Sequence, residues 1–455
     1  MEPESLLQKL RDRIDEIAER SPARLALLVF ASIITMVTAL LSLPVATTSG
    51  QRAPFADALF TATSAVCVTG LVTVDTATYW SAFGQSVILV GIAIGGLGVM
   101  TIASILALAV SRHIGLTQRM LTATETKTKL GQVGSLVRTV IATSVVVEGV
   151  LALVLIPRFL TLGEPFGAAV WHGVFMALSI FNNAGFVVLE EGLVPYIGDW
   201  WMGLPIVIGT FLGAVGFPVL LNIRHAWRTP RRWTLHTKLT LTTYTALTVG
   251  TFLLIPAFEW TNPRTFGPLP LDEKILAALV NSVNARSSGL STVPISDMRE
   301  ATWFLQDALM FVGGGVASTA GGIKVTTLAV LVLAIIAEAR GDRDVEVFRR
   351  RIPPDTVRLA VAVAFIGSTL VGLSTLALLE ITGLRLDVIL FEVISAFATV
   401  GLSTGITPHL PDAAKYVLVA LMFAGRTGTM TVAAALALRS SRRVIRMPEE
   451  RPSIG

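Results

Sequence analysis

Four short stretches, "CVTG", "NNAG", "RSSG" and "TVGLSTG", interrupt the apolar runs of this 455-residue sequence at one matching glycine each, Gly70, Gly185, Gly289 and Gly401. The glycines are 115, 104 and 112 residues apart, and their surroundings match. Ten residues before them lie Phe60, Phe175, Leu279 and Phe391; six before, Ser64, Ser179, Val283 and Ser395; one after, Leu71, Phe186, Leu290 and Leu402. An internal repeat with this spacing implies fourfold pseudo-symmetry. The chemistry that fits is cation coordination by backbone carbonyls, which can replace an ion's hydration shell. Glycine suits such a loop because it reaches conformations in which a Cβ would clash. A single glycine of this kind could simply end a helix. Four at matched positions argue for a shared role.

Such loops need elements that hold them inside a membrane. The chain is 53% hydrophobic and 15% charged, with a mean hydropathy of +0.70; soluble domains carry about 25% charge. Of the 36 Lys and Arg, 26 fall in five segments, residues 1–24, 111–138, 224–238, 339–358 and 439–455. The positive-inside rule puts all five on the cytoplasmic side, where their plainest use is topology and lipid headgroups. The charged opening, residues 1–24, reads as a cytoplasmic amphipathic segment rather than a signal peptide. Four units then lie between the basic segments, at 25–112, 136–224, 237–340 and 356–440, followed by a cytoplasmic tail at 441–455.

Each unit holds two long apolar runs around a shorter one, at 55–66, 167–181, 272–284 and 386–398. The short runs cannot cross a hydrocarbon layer of about 30 Å, and a third crossing would put the next basic segment outside. They are therefore expected to dip in and return. Irregular backbone at that depth survives only inside protein or beside water. Asp57, Glu164, Asp272 with Glu273, and Asp387 stand near the starts of the short runs, complementing the positive end of a helix dipole. Their negative ends would then converge on one axis, favouring a cation.

These residues resemble the Trk/Ktr/HKT superfamily of potassium transporters, and the eight-crossing length looks most like its Ktr-type membrane subunit. The resemblance covers about residues 25–440. It implies an all-α polytopic membrane protein with four helix–pore helix–helix units around a central ion pore. It also implies filter carbonyls from Val68, Thr69 and Gly70; Asn183, Ala184 and Gly185; Ser287, Ser288 and Gly289; and Thr399, Val400 and Gly401. Plant relatives that favour sodium often carry serine for the first filter glycine. Gly70 makes K+ the expected ion, with Na+ as a coupling or activating ion; the alternative is a sodium-selective or non-selective monovalent cation transporter.

The third unit departs from the pattern at "FVGGGVASTAGGIKVTT", residues 311–327. Its five glycines, Gly313, Gly314, Gly315, Gly321 and Gly322, flank Ser318 and Thr319, and each interior glycine costs a helix about 1 kcal/mol against alanine. Close helix packing through small residues is the alternative reading. In the resembling family this segment is the intramembrane loop that gates the pore. Lys324 would act on pore ions or anchor the cytoplasmic end. Arg426, a guanidinium mid-way along the last apolar run, needs protein or water around it; the resemblance makes it a barrier or latch beside the loop. Arg286 is expected to brace the third filter through Glu392 or another carboxylate. Glu148 should pair within the bundle, with a partner the sequence does not name.

Other chemistry finds little support. No nucleophile–base set, Walker loop or metal-ligand cluster stands out, so no enzyme is expected, and the single Cys67 excludes an internal disulfide. "GIAIGGLG" lacks the βαβ context of a dinucleotide fingerprint. A broken-helix secondary transporter is the nearer alternative, but such proteins usually show two repeats, not four. The resemblance further implies a homodimer and a separate cytosolic RCK-type nucleotide-binding subunit docked on the basic loops. The expected setting is the bacterial plasma membrane with both termini cytoplasmic, and no nucleic-acid partner is expected.

Overall fold

The computed structural model describes residues 22–98, 101 and 131–428. Residues 1–21 of the expected N-terminal segment, the basic segment up to residue 130, and everything after Gly428 lie outside the described residues. The rest repeats one plan four times. The first unit has α1 (Pro22–Leu41), α2 (Phe55–Val66) and α3 (Ala82–Gly98). The second has α4 (Gly131–Thr161), α5 (Phe166–Phe181), α6 (Trp200–Val215) and α7 (Phe217–Ala226). The third has α8 (Leu235–Glu259), α9 (Leu271–Asn284), α10 (Glu300–Phe311) and α11 (Val325–Arg340). The fourth has α12 (Pro354–Thr382), α13 (Leu386–Phe397) and α14 (Asp412–Phe423), which runs into a π-helical turn at Ala424–Gly428.

The short helices α2, α5, α9 and α13 fill the expected middle runs. Pro54, Pro165 and Pro270 stand directly before the first three, where the missing N–H costs nothing and the preceding chain is held extended. At 12 to 16 residues and 1.5 Å per residue they reach about 18–24 Å, short of the bilayer. Phe60, Phe175 and Phe391, the recurrent aromatics, are fully buried on them. The long helices instead turn large apolar side chains outward: Met36 is 65% exposed, Leu153 73% and Phe365 72%. Such a surface needs lipid around it. Val137–Thr161, Leu235–Glu259 and Pro354–Thr382 are each long and apolar enough to cross a membrane unaided.

The final helices of units two, three and four are interrupted. The last long apolar run of unit two breaks at Gly216, and α7 leaves α6 at 96°. Gly216 has φ 96° and ψ 147°, and a Cβ there would sit 2.7 Å from Val316 O. In unit three the chain is non-helical between Phe311 and Val325, as the glycines require. In unit four the expected continuous run widens into the π turn, where Gly425 packs directly against the Phe397 carbonyl at the end of α13.

Neighbouring units are joined all the way round. Trp171 donates to Gln85 at 2.9 Å between units one and two, and Thr210 to Ser288 at 3.3 Å between two and three. Arg385 pairs with Glu300 at 2.7 Å between three and four. Lys415 pairs with the buried Asp57 at 2.8 Å, joining unit four back to unit one. Between α11 and α12, β1 (Val345–Val347) and β2 (Arg350–Ile352) form an antiparallel hairpin.

Candidate cation pathway

The four glycines meet at the centre. A Cβ on Gly70 would lie 2.5 Å from Ala184 O, one on Gly185 2.7 Å from Ser288 O, and one on Gly289 2.6 Å from Val400 O. On Gly401 it would collide with Thr69 O. In each case the obstacle is the carbonyl just before the next unit's glycine, and the fourth contact returns to the first loop. The order is closed and runs in one direction. No residue but glycine fits any of the four places without displacing a neighbouring backbone.

Backbone geometry within each loop follows from the helix it leaves. Gly70, Gly185, Gly289 and Gly401 all have positive φ, from 63° to 92°. Two residues earlier, Val68, Asn183 and Thr399 also have positive φ, at 55°, 57° and 48°. Left-handed backbone at a β-branched residue is strained, and such strain persists only where surroundings impose it. Alternating the hand of successive residues turns consecutive carbonyls toward the same side. The third loop is built differently: Ser287 is not left-handed, and the amides of Ser287 and Ser288 both return to Asn284 O.

The recurring serine six residues before the glycine proves to be the tie. Ser64 accepts from Gly70 N at 3.0 Å and Ser395 from Gly401 N at 3.1 Å. Ser179 instead donates to Phe186 O at 2.7 Å. Unit three has Val283 at this position, and Asn284 takes over by donating to Leu290 O. Thr69, Ser287 and Thr399 bury hydroxyls with no hydrogen-bond partner in the protein.

Two expectations about supporting residues are corrected or completed. Arg286 does not meet Glu392. Its guanidinium lies 3.9 Å from the Tyr244 ring centroid and donates to Tyr244 O at 2.9 Å and to the Thr248 hydroxyl. Glu392 is occupied elsewhere, accepting from Ser403, from Thr404 N at 3.1 Å and from Thr407 at 3.0 Å, and so fixes the chain leaving the fourth loop. Glu148 accepts from the amide of Asn182 at 2.8 Å, immediately before the second loop.

The glycine-rich segment lies against the inner ends of these loops. Its own frame is set by Gly313 N to Ile323 O at 2.8 Å and Val325 N to Gly314 O at 3.0 Å. Gly315 N donates to Ala214 O at 2.8 Å, and Phe217 N to Ala317 O at 3.1 Å, so the segment rests on the Gly216 bend. Ala317 has a positive φ of 55°. Ser318 turns inward on Gly315 O at 2.7 Å. Gly321 and Gly322 pack against Ala398, and Gly321 also touches the Thr399 side chain. Thr319 and Asn183 share a hydrogen bond of 2.7 Å; turned to satisfy every partner, the amide oxygen accepts it.

Arg426, buried within the π turn, donates to Thr319 O, while its Nε and other Nη have no hydrogen-bond partner. Lys324 curls back to Ala320 O at 2.6 Å and Gly321 O at 3.4 Å. The interruptions of units two, three and four thus converge on Ala317 and Thr319. Sequence reasoning found Arg426 and the glycines but not this meeting point, because nothing local marks Gly216 as its partner.

The described residues define a mostly helical membrane protein of four similar units, each with a short helix between longer ones. Residues 20–444 match the family model described as TrkH, cation transport protein, and the chain belongs to that family. It is 36% identical over 440 residues to the Ktr system potassium uptake protein B of Bacillus subtilis, covering 96% of this chain and 98% of that protein. The potassium/sodium uptake protein NtpJ of Enterococcus hirae is 33% identical over 446 residues, 96% of this chain and 97% of its own. The crystal structure of the potassium transporter TrkH from Vibrio parahaemolyticus shares the fold, with a TM-score of 0.67 and 17% identity over 88% of this chain and 83% of that one.

Proposed function

We propose that the protein carries K+ into bacteria across the plasma membrane, through a pore whose filter is the four-glycine ring. The closed contact of each glycine with the next loop's carbonyl supports this reading most. It packs four carbonyl-bearing turns around one axis and leaves three unpartnered hydroxyls beside them. Helix C-termini ending at the loops add partial negative charge where a cation would lose its water. The relatives named for potassium uptake agree with K+ as the ion, and the relative named for potassium/sodium uptake keeps Na+ as a second cargo or coupling ion.

The segment at residues 311–327 is the gate, with Arg426 as its latch and barrier. It lies between the loops and the cytoplasmic elements, and Arg426 holds it through Thr319. A cytosolic RCK-type nucleotide-binding subunit acts on it from outside the chain, as the Ktr system relatives suggest. The membrane protein works as a homodimer, each protomer with its own pore and cytoplasmic termini. The test is growth of a potassium-uptake-deficient bacterium on limiting K+, with and without a co-expressed regulatory subunit. Rescue is expected in both, stronger with the subunit. Failure in both, with the protein present in the membrane, overturns the reading. Rescue of Na+ uptake alone replaces it with the sodium alternative.

A further inference from the structure

The 96° turn at Gly216 sends the chain into a segment of unusual charge. No acidic residue occurs between Asp199 and Glu259, and that stretch contains Arg224, Arg228, Arg231, Arg232 and Lys238. Helix α6 begins at Trp200 and Trp201, both partly exposed, as aromatic side chains at a membrane boundary are. Its 16 residues descend about 24 Å, most of the way through the hydrocarbon. Helix α7 leaves it at 96°, which is along the membrane plane for an α6 that follows the bilayer normal, and carries Arg224 and His225 in its last turn.

That turn is a built structure. Thr229 N bonds Ala226 O at 3.0 Å, Arg232 N bonds Thr229 O at 2.9 Å, and Trp233 N bonds Pro230 O at 3.1 Å. The Trp233 indole donates to Ala226 O at 3.1 Å, and Lys238 to Arg231 O at 3.3 Å. Trp227 is 64% exposed with the Arg228 guanidinium 4.6 Å from its ring centroid. Arg224, Arg228, Arg231 and Arg232 are all exposed. Asp344 of the adjacent hairpin is already paired with Arg351 at 2.8 Å. An exposed tryptophan among exposed arginines, at the end of a helix perpendicular to α6, suits the headgroup layer. The ring sits at the acyl boundary and the guanidinium groups meet phosphate.

We propose that the segment from Arg224 to Trp233 binds anionic phospholipid headgroups of the inner leaflet, and that α7 relays their presence to the glycine-rich segment. The relay is the Phe217 N–Ala317 O bond at 3.1 Å, which joins the first residue of α7 to a left-handed residue of that segment. The binding half stands on the arginine turn alone. The relay half rests on the proposed gate.

Binding is measured with the full-length protein in nonionic detergent, using fluorescent phosphatidylglycerol and phosphatidylcholine. Wild type should prefer phosphatidylglycerol. Arg228→Ala, Arg231→Ala and Arg232→Ala combined should weaken its binding by roughly fivefold per arginine, and lysines at the same places should restore most of it. Unchanged binding in the alanine variant, or equal binding of the zwitterionic lipid, overturns the proposal. Competition by free glycerol phosphate or by polyglutamate as effective as that by the unlabelled lipid would assign the turn to a soluble phosphate or an acidic protein instead, overturning it as well.

The relay is read from K+ flux into proteoliposomes with and without phosphatidylglycerol. Phe217→Leu keeps the N–H and Phe217→Pro removes it, at a first helical position that accepts proline. Flux through the leucine variant should follow lipid composition, and flux through the proline variant should not. An equal lipid response in both overturns the relay. Absence of flux in every lipid, with lipid preference intact in detergent, overturns the transport reading and leaves the binding site standing.

Discussion

The hydroxyl of Thr319 lies 2.7 Å from the side-chain amide of Asn183, so the glycine-rich segment and the second loop of the pathway are bonded directly. Asn183 is also one of the residues held with positive φ. Moving the segment therefore releases a residue whose backbone helps to shape the ring. Thr319→Val removes the bond at nearly constant volume, a loss of about 1 kcal/mol, and should raise resting K+ flux roughly fivefold. Asn183→Ala should act on the same step. A double-mutant cycle on flux checks this: additive effects would mean that the two residues are not coupled.

Ring geometry gives a second expectation. Gly70→Ser and Gly401→Ser each place a Cβ against a neighbouring carbonyl and require a left-handed serine, strained by about 1–2 kcal/mol. Preference for K+ over Na+ should fall about tenfold. Gly50, also left-handed but with open space around it, is the control, and Gly50→Ser should leave preference unchanged. Competition of Na+ with Rb+ uptake is the measurement.

For the proposed gate, deleting Ala317 to Ala320 or replacing Arg426 with alanine should raise flux and reduce its dependence on the proposed regulatory subunit. Losing the Arg426–Thr319 bond removes a charge-assisted contact of about 1.5–3 kcal/mol, along with a positive charge that repels cations. Flux into proteoliposomes at matched amounts of folded protein decides it. A packing role alone would lower flux and thermal stability together.

Orientation can be checked with single cysteines in a Cys67→Ser background. Asp75→Cys, Glu191→Cys and Ser296→Cys, all in the loops after the short-helix turns, should react with an impermeant maleimide only from outside the cell. Arg231→Cys and Arg349→Cys should react only from the cytoplasmic side. One reversed site would break the arrangement of units.

The short helices were legible because their signals are local: a proline or an acid at the start, an apolar stretch, and a glycine at the turn. The break in unit three was legible for the same reason, since five clustered glycines cannot hold a helix. What escaped depends on contacts between distant residues. Gly216 reads as an ordinary small residue in an apolar run until Val316 is seen beside it. The widening at Ala424–Gly428 sits where Gly425 closely approaches the Phe397 carbonyl, a contact no local pattern records. The charge of Arg286 points to a carboxylate partner, yet an aromatic face and two neutral oxygens on α8 hold it instead.

A ring in which every glycine leans on the next unit's carbonyl, made from one chain, need not be made of equal parts. Four identical subunits would be bound to change together at every position. Here the first and fourth loops keep the serine tie and the regular backbone, while the second spends its asparagine on the glycine-rich segment. The third carries an arginine that anchors it to α8 and gives up the common geometry. Covalent linkage thus permits a division of labour, in which two quadrants hold the shape and the other two specialise.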